Sequence, residues 1–312
     1  MNVPIGLVET FWSGTAAESW TSLRALSADA SLMPVFAVRT KMVDERETTV
    51  LKMQQEEHEF QQALAQANAE GKPAPSKPWH PDFAGWAPAA LFNGVIAPLA
   101  HSAIRGVIWY QGESNSGERA PIYAHLFQTM IRDWRRSWDE GDFPFLFVQL
   151  ANWNNGERWP EVRDAQRQAL ALRNTGMAVA IDIGDAVNLH PPNKQDVGLR
   201  LALAARAIAY GEKIEWSGPL YRQLTREDHA LRVWFDHANG LRPKDGSLLG
   251  FEVAGADGKY SPAEAKIEGI SVVVSSAAVP VPVFVRYGWA QNPTCNLYNG
   301  EGLPASPFQA PE

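Results

Sequence analysis

Residues 106–115 read GVIWYQGESN. Val107 to Tyr110 are β-branched or aromatic, a short continuous apolar run of the kind that forms a buried strand. Polar Gln111, Glu113, Ser114 and Asn115 follow at once. Polar side chains gathered where a buried strand emerges are costly unless they are paired or do chemistry. The plainer use of Ser114 and Asn115 is to cap the helix that follows. That helix is written in the spacing of Ile122, Tyr123, Leu126, Phe127, Met130, Trp134 and Trp138. The stretch therefore reads as strand, polar turn, helix.

The same unit recurs on both sides. Pro144 to Leu150 and Met177 to Ile183 read as strands, with helices near Glu161 to Leu172 and from Asp196 to Tyr210, the latter stopped by Gly211. Upstream, Ile5 to Val8 is strand-like, Ser13-Gly14-Thr15 is a turn, and a helix is expected from Glu18 to Leu26. Met33 to Val38 reads as a strand or a buried loop. Residues 44–70 are rich in Glu, Gln, Ala and Lys, which predicts a long solvated helix ended by Gly71. A Pro-rich connector and a short helix from Pro88 to Asn93 complete this half. Strands alternating with helices, each strand apolar throughout, predict an α/β fold whose parallel sheet is covered on both faces. Ligands in such folds sit beyond the carboxyl ends of the strands, where residues 111–115 and 184–190 both fall.

After residue 212 the helical spacing stops. Short alternating runs replace it at 231–235, 249–253, 266–274 and 283–287, separated by Asn239-Gly240, Asp245-Gly246 and Asp257-Gly258. The expected division is an α/β domain over 1–211 and a smaller all-β sandwich-like module over 212–312.

Composition narrows the function classes. Among 312 residues, 45% are hydrophobic and 20% charged, as in ordinary globular proteins. A net charge of −7 argues against a nucleic-acid partner, because phosphate binding needs a basic footprint. Cys295 alone allows neither an internal disulfide nor a Cys-based zinc site. No dense Asp/His cluster supports a metal-dependent phosphatase or nuclease, and no cofactor is called for. No apolar run is long enough for a membrane span. Met1 to Thr15 lacks the basic flank and long apolar stretch of a secretory signal, and begins almost at once in strand pattern. Twelve Trp are many for this length; most fill a core, and flat apolar rings also pack on sugars.

Three stretches offer chemistry. The first is 109–115, with Trp109, Gln111, Glu113 and Asn115. The second is 182–194, where His190 stands before two prolines; a fixed imidazole suits a general base, and a surface His beside an Asp is the plainer reading. The third is 11–15, where backbone N–H groups of a tight turn can hold an oxyanion.

Together these stretches resemble the sialate O-acetylesterase family, within the SGNH hydrolases. The resemblance runs through VPIGLVETFWSGTAAESWTS, LFNGVIAPLAHSAIRGVIWYQGESN, IDIGDAVNLHPPNKQDVGLRLAL and the tail from FEVAGADGKY to GLPASPF. It implies a flavodoxin-like three-layer domain and a serine esterase that removes O-acetyl groups from sialic acid or other acetylated carbohydrates. In that scheme His190 is the general base, oriented by a carboxylate, and Gly14 and Gln111 are oxyanion donors. Family members often carry Asp two residues before the His; here that position is Asn188. Glu113 matches an acid used for this role in related carbohydrate esterases, and Asp185 is a local substitute. Asn115, Trp109 and Asn188 would shape the substrate site. Ser13 stands where the family usually has Gly. The resemblance also implies a periplasmic or extracellular setting.

The family's serine lies in a Gly-Gln-Ser-Asn segment upstream of the part matching Pro4, and no such segment occurs in these residues. The expectation is a chain lacking the nucleophile and the strand that carries it. Two alternatives stay open. Gly112 to Ser116 resembles a nucleophile elbow with Ser116 in place of the last Gly, which would make Ser114 the nucleophile. The chain would otherwise be a non-catalytic carbohydrate-binding protein.

Overall fold

The computed structural model describes residues 4–80, 83–154 and 156–311. The helices are α1 (Leu23–Ser27), α2 (Pro34–Asp44), α3 (Arg46–Glu70), α4 (Ala97–Leu99), α5 (Ala120–Trp138), α6 (Trp159–Gln168) and α7 (Lys194–Ile208). Strands β1 (Val107–Trp109), β2 (Phe145–Gln149) and β3 (Thr175–Val179) form a parallel sheet in that order. Val107, Trp109, Phe145, Phe147, Met177 and Val179 face one core, filled by Tyr123, Phe127, Met130 and Trp134 of α5 and by Val162 of α6. On the other face, Val148 and Ala180 meet Val197 and Leu201 of α7. That second layer covers β2 and β3 only. Ile108 of β1 is 63% exposed, and the outer edge of β1 pairs with no described strand. The double cover expected from sequence is thus incomplete over β1.

Several local expectations change. Ile5 to Val8 forms no strand, and Ile5, Leu7 and Val8 are exposed. A strand exists only as one side of a ladder, and no described segment pairs with it. The helix expected over Glu18 to Leu26 splits into a 3-10 turn, Ala17–Trp20, and α1, because Ser22 turns its hydroxyl to the N–H of Ala25 and caps a new start. Met33 to Val38 enters α2, with Pro34 in the first turn where its missing N–H costs nothing. The long helix appears as α3 and ends at Gly71, whose φ of 65° is the left-handed C-cap conformation.

Beyond Ser217 the backbone is antiparallel. The strands are β4 (Leu220–Glu227), β5 (Ala230–Asp236), β6 (Arg242–Pro243), β7 (Phe251–Ala254), β8 (Tyr260–Pro262), β9 (Glu264–Glu268), β10 (Ser271–Ser275), β11 (Phe284–Tyr287), β12 (Leu297–Tyr298) and β13 (Phe308–Ala310). Two four-stranded sheets, β4-β5-β10-β9 and β13-β11-β7-β8, enclose a core of their own that includes Leu231, Val233, Phe235, Val253, Val272, Val274, Val285, Tyr287 and Phe308. The run 266–274, read as one strand, is a hairpin: Gly269 at φ 63° turns β9 into β10. No helix among the described residues is long and apolar enough to cross a membrane.

Arg163 of α6 joins the two cores. It is fully buried, and its guanidinium donates to the carbonyls of Leu150, Ala151, Ala290 and Gln291 at 2.7–2.9 Å. Burial lowers its pKa to about 9. Two of those carbonyls end β2 and two lie between β11 and β12, so one side chain fastens the antiparallel module to a loop at the sheet's carboxyl edge. Arg163→Met keeps length but strands the carbonyls. The expected cost is about 2 kcal/mol, read as a lower urea midpoint at constant m-value.

Candidate active site

A cleft of about 590 Å³ opens at the carboxyl ends of the parallel strands. It brings together Gly14, Trp109, Gln111, Glu113, Ser114, His190 and Lys194. These come from three turns remote in sequence, as a parallel α/β sheet requires of its ligand edge.

The turn after β1 is the rigid part. Gly112 has φ 146°, and a Cβ there would lie 2.9 Å from the Gln166 Nε2 and 3.2 Å from Leu150 and Val162. Only glycine fits. Gln111 is buried beside it; its Nε2 donates to the Thr15 carbonyl (3.1 Å) and to Asn115 Oδ1 (2.7 Å), and its Oε1 accepts from the Tyr123 hydroxyl (3.0 Å). Asn115 Oδ1 also accepts from the Ala17 N–H, and its Nδ2 donates to the Glu18 carboxylate. Glu18 in turn holds the Arg119 guanidinium, which donates to the Ser114 carbonyl and lies 4.6 Å over the Trp86 ring. Trp86 donates to the Gly14 carbonyl at 2.7 Å. One closed polar network thus ties residues 14–18, 86 and 111–119 together.

This geometry separates the expected roles. Both Nε2 hydrogens of Gln111 are used inside the protein, so Gln111 frames the turn and has no donor left for an oxyanion. Gly14, at φ 69°, lines the cleft, and its N–H meets no acceptor among the described residues. Asn115 is fully buried and does not line the cleft; it positions Gln111 and the Ala17 backbone. Trp109 lines the cleft while stacking edge-on with Trp20 and Trp134.

His190 is exposed on the loop after β3, with its backbone N–H held by Asn188 Oδ1 at 2.9 Å. Asn188 is therefore a loop brace. Asp185 Oδ1 accepts the N–H groups of Val187 and Asn188, which spends it on the same loop. Asp182 is held by both Arg200 nitrogens and the Tyr298 hydroxyl. The carboxylate left within electrostatic reach of the imidazole is Glu113. Burial raises its carboxyl above the ordinary range, while His190 and Lys194 pull it back down. A carboxyl raised in the folded state stabilises the fold while protonated, and that contribution is lost as pH rises through the raised value. Gln resembles the protonated form at every pH. Glu113→Gln is therefore expected to stabilise the protein by about 1 kcal/mol at pH 8 and to lose that advantage near pH 4, read by thermal unfolding at both.

Ser114 lies in the 3-10 turn Glu113–Asn115, and neither it nor Ser13 bonds to the His190 ring. Lys194, Trp79 and Trp153 also line the cleft and were not singled out from sequence. Lys194 sits 5.1 Å over the Tyr110 ring. A helix-start lysine and tryptophans in loops carry no periodic signal that would have marked them.

A crystal structure of a carbohydrate acetylesterase from Xanthomonas citri superimposes with a TM-score of 0.71 and 43% identity, over 73% of this chain and 55% of that one. The parallel sheet, its carboxyl-edge cleft and the separate antiparallel module thus define a carbohydrate-esterase fold. The family model for carbohydrate esterases described as sialic acid-specific acetylesterase matches residues 1–208. The chain belongs to that family. Mouse sialate O-acetylesterase is 30% identical over 344 residues, covering 99% of this chain, and the human protein is 30% identical over 345 residues. The chain spans 61% of the mouse protein and 58% of the human one.

Proposed function

We propose that this cleft is the acyl-transfer centre of an esterase that removes O-acetyl groups from carbohydrates, sialic acid among them. His190 is the general base that takes the proton of a serine hydroxyl and returns it to the leaving sugar oxygen. Glu113 orients and steadies the imidazolium, and the Gly14 N–H faces the tetrahedral oxyanion. The single observation behind this reading is the meeting of His190, Glu113 and Gly14 in one cleft at the sheet's carboxyl edge.

The serine itself is assigned to a segment outside these 312 residues. Among the described residues, neither serine lining the cleft bonds to His190, and no strand pairs with the outer edge of β1 beside the cleft. A strand pairing there would deliver a side chain to the same rim. The same reading places the acyl centre within residues 1–211 and leaves 212–312 as a bracing module.

The test compares hydrolysis of 4-nitrophenyl acetate and of an O-acetylated sialic acid by the chain alone and by the chain preceded by its in-frame upstream segment. Activity is expected only with the segment. Brisk turnover by the chain alone, abolished by Ser114→Ala, would move the nucleophile to Ser114.

A further inference from the structure

Trp79 is 61% exposed, yet its place is fixed. A Cβ on Gly14 would lie 2.8 Å from its Nε1 and 3.0 Å from Cζ2, so the indole edge rests against the bare Gly14 backbone. Trp86 lies 5.9 Å behind it, tilted by 51°, and is pinned from the other side by Arg119 and by its bond to the Gly14 carbonyl. The ring that results is rigid at one edge, open on its surface, and borders the cleft next to the proposed oxyanion donor.

The long helical segment of α2 and α3 accounts for this placement. The half-buried stripe Met53, Glu56, Phe60 and Leu64 of α3 runs along one face of a helix that buries no residue completely. The Pro-rich connector returns along it, with Lys77 3.4 Å from Glu57 and His80 3.4 Å from Glu56. Arg39 of α2 holds the Phe83 carbonyl at 2.8 Å. Helices α2 and α3 thereby hold the connector on both sides of Trp79. Such an arm adds little to the core, and its end result is one tryptophan at the rim of the cleft.

We propose that Trp79 is the platform on which the pyranose ring of the substrate stacks while its acetyl ester reaches the acyl centre. An indole offers a flat apolar face with one N–H, which suits the C–H face of a sugar and lowers the cost of leaving that ring in water. This rests on the esterase reading, because only a substrate anchored in the cleft places a sugar at that distance from Gly14. It makes residues 34–86 a specificity element: a small ester that lacks a sugar ring has no use for it.

The test is saturation-transfer NMR on the whole chain with two non-hydrolysable probes, the methyl glycoside of N-acetylneuraminic acid and xylobiose. Wild type is expected to transfer saturation to ring C–H protons of at least one probe. Trp79→Ala should weaken that probe about tenfold and Trp79→Phe by less, with unfolding midpoints unchanged, since an exposed ring contributes little to stability. Equal binding by Trp79→Ala and wild type, or no binding of either probe at about 10 mM, overturns the platform. Hydrolysis of 4-nitrophenyl acetate by the chain with its upstream segment separates the two readings. A rate that wild type shows and His190→Ala loses upholds the acyl centre whatever the sugar result.

Discussion

His190→Ala, in the chain joined to its upstream segment, is expected to lower kcat/KM for acetyl-ester hydrolysis about a thousandfold. A positioned general base contributes on that scale, because without it the serine attacks as a neutral hydroxyl and the sugar leaves as an alkoxide. Among the described residues lining the cleft no other titratable side chain substitutes: Glu113 is half-buried with a raised carboxyl, Lys194 lies over Tyr110, and burial raises the Tyr110 hydroxyl. Sugar binding should survive within about twofold, since the ring platform is separate from the base. Retained hydrolysis in the variant would remove the esterase reading of this loop. Sugar binding that survives in His190→Ala, together with no hydrolysis in wild type, would favour a purely binding protein.

Glu18→Ala should be the most destabilising of the substitutions considered. Glu18 is 1% exposed, pairs with Arg119 and accepts from Asn115. Removing one partner of a buried ion pair leaves the other charge uncompensated, at a cost of about 3–5 kcal/mol. Here the stranded group is a guanidinium already wedged between the Ser114 carbonyl and the Trp86 ring. Denaturant unfolding of Glu18→Ala, Arg119→Met and the double variant forms the relevant cycle. The double variant is expected to be more stable than Glu18→Ala, because it removes the orphaned charge. A loss under 1 kcal/mol in Glu18→Ala would mean that water reaches Arg119 and that the network is not closed. Because the same residues hold Gly14 and Gln111, Glu18→Gln should lower catalytic rate more than it lowers the unfolding midpoint.

The sites of chemistry were legible in the sequence to the extent that strand ends are. GVIWYQGESN announced a strand emptying into polar residues, and HPPNK announced a fixed imidazole before a helix, because apolar periodicity and proline act locally. What each polar residue does at those ends was not local. Gln111 looked like an oxyanion donor until Thr15 and Asn115 were found to take both of its amide hydrogens. Asp185 and Asn188 looked like partners of His190 and instead brace the loop beneath it. Asp, Asn and Gln can each satisfy a neighbouring backbone or a reacting group, and only three-dimensional neighbours decide between them.

By itself the sequence determined a parallel α/β sheet with an antiparallel module behind it, since buried strands, amphipathic helices and Asn-Gly or Asp-Gly turns are written in near-neighbour spacing. Tertiary structure alone decided that Ile5 to Val8 stays unpaired, that Met33 to Val38 is helix, and that Trp79 stands over Gly14 at the mouth of the cleft. A ladder needs a second strand, a short apolar run takes the form its surroundings bury best, and a tryptophan in a Pro-rich connector goes where a distant helix holds it.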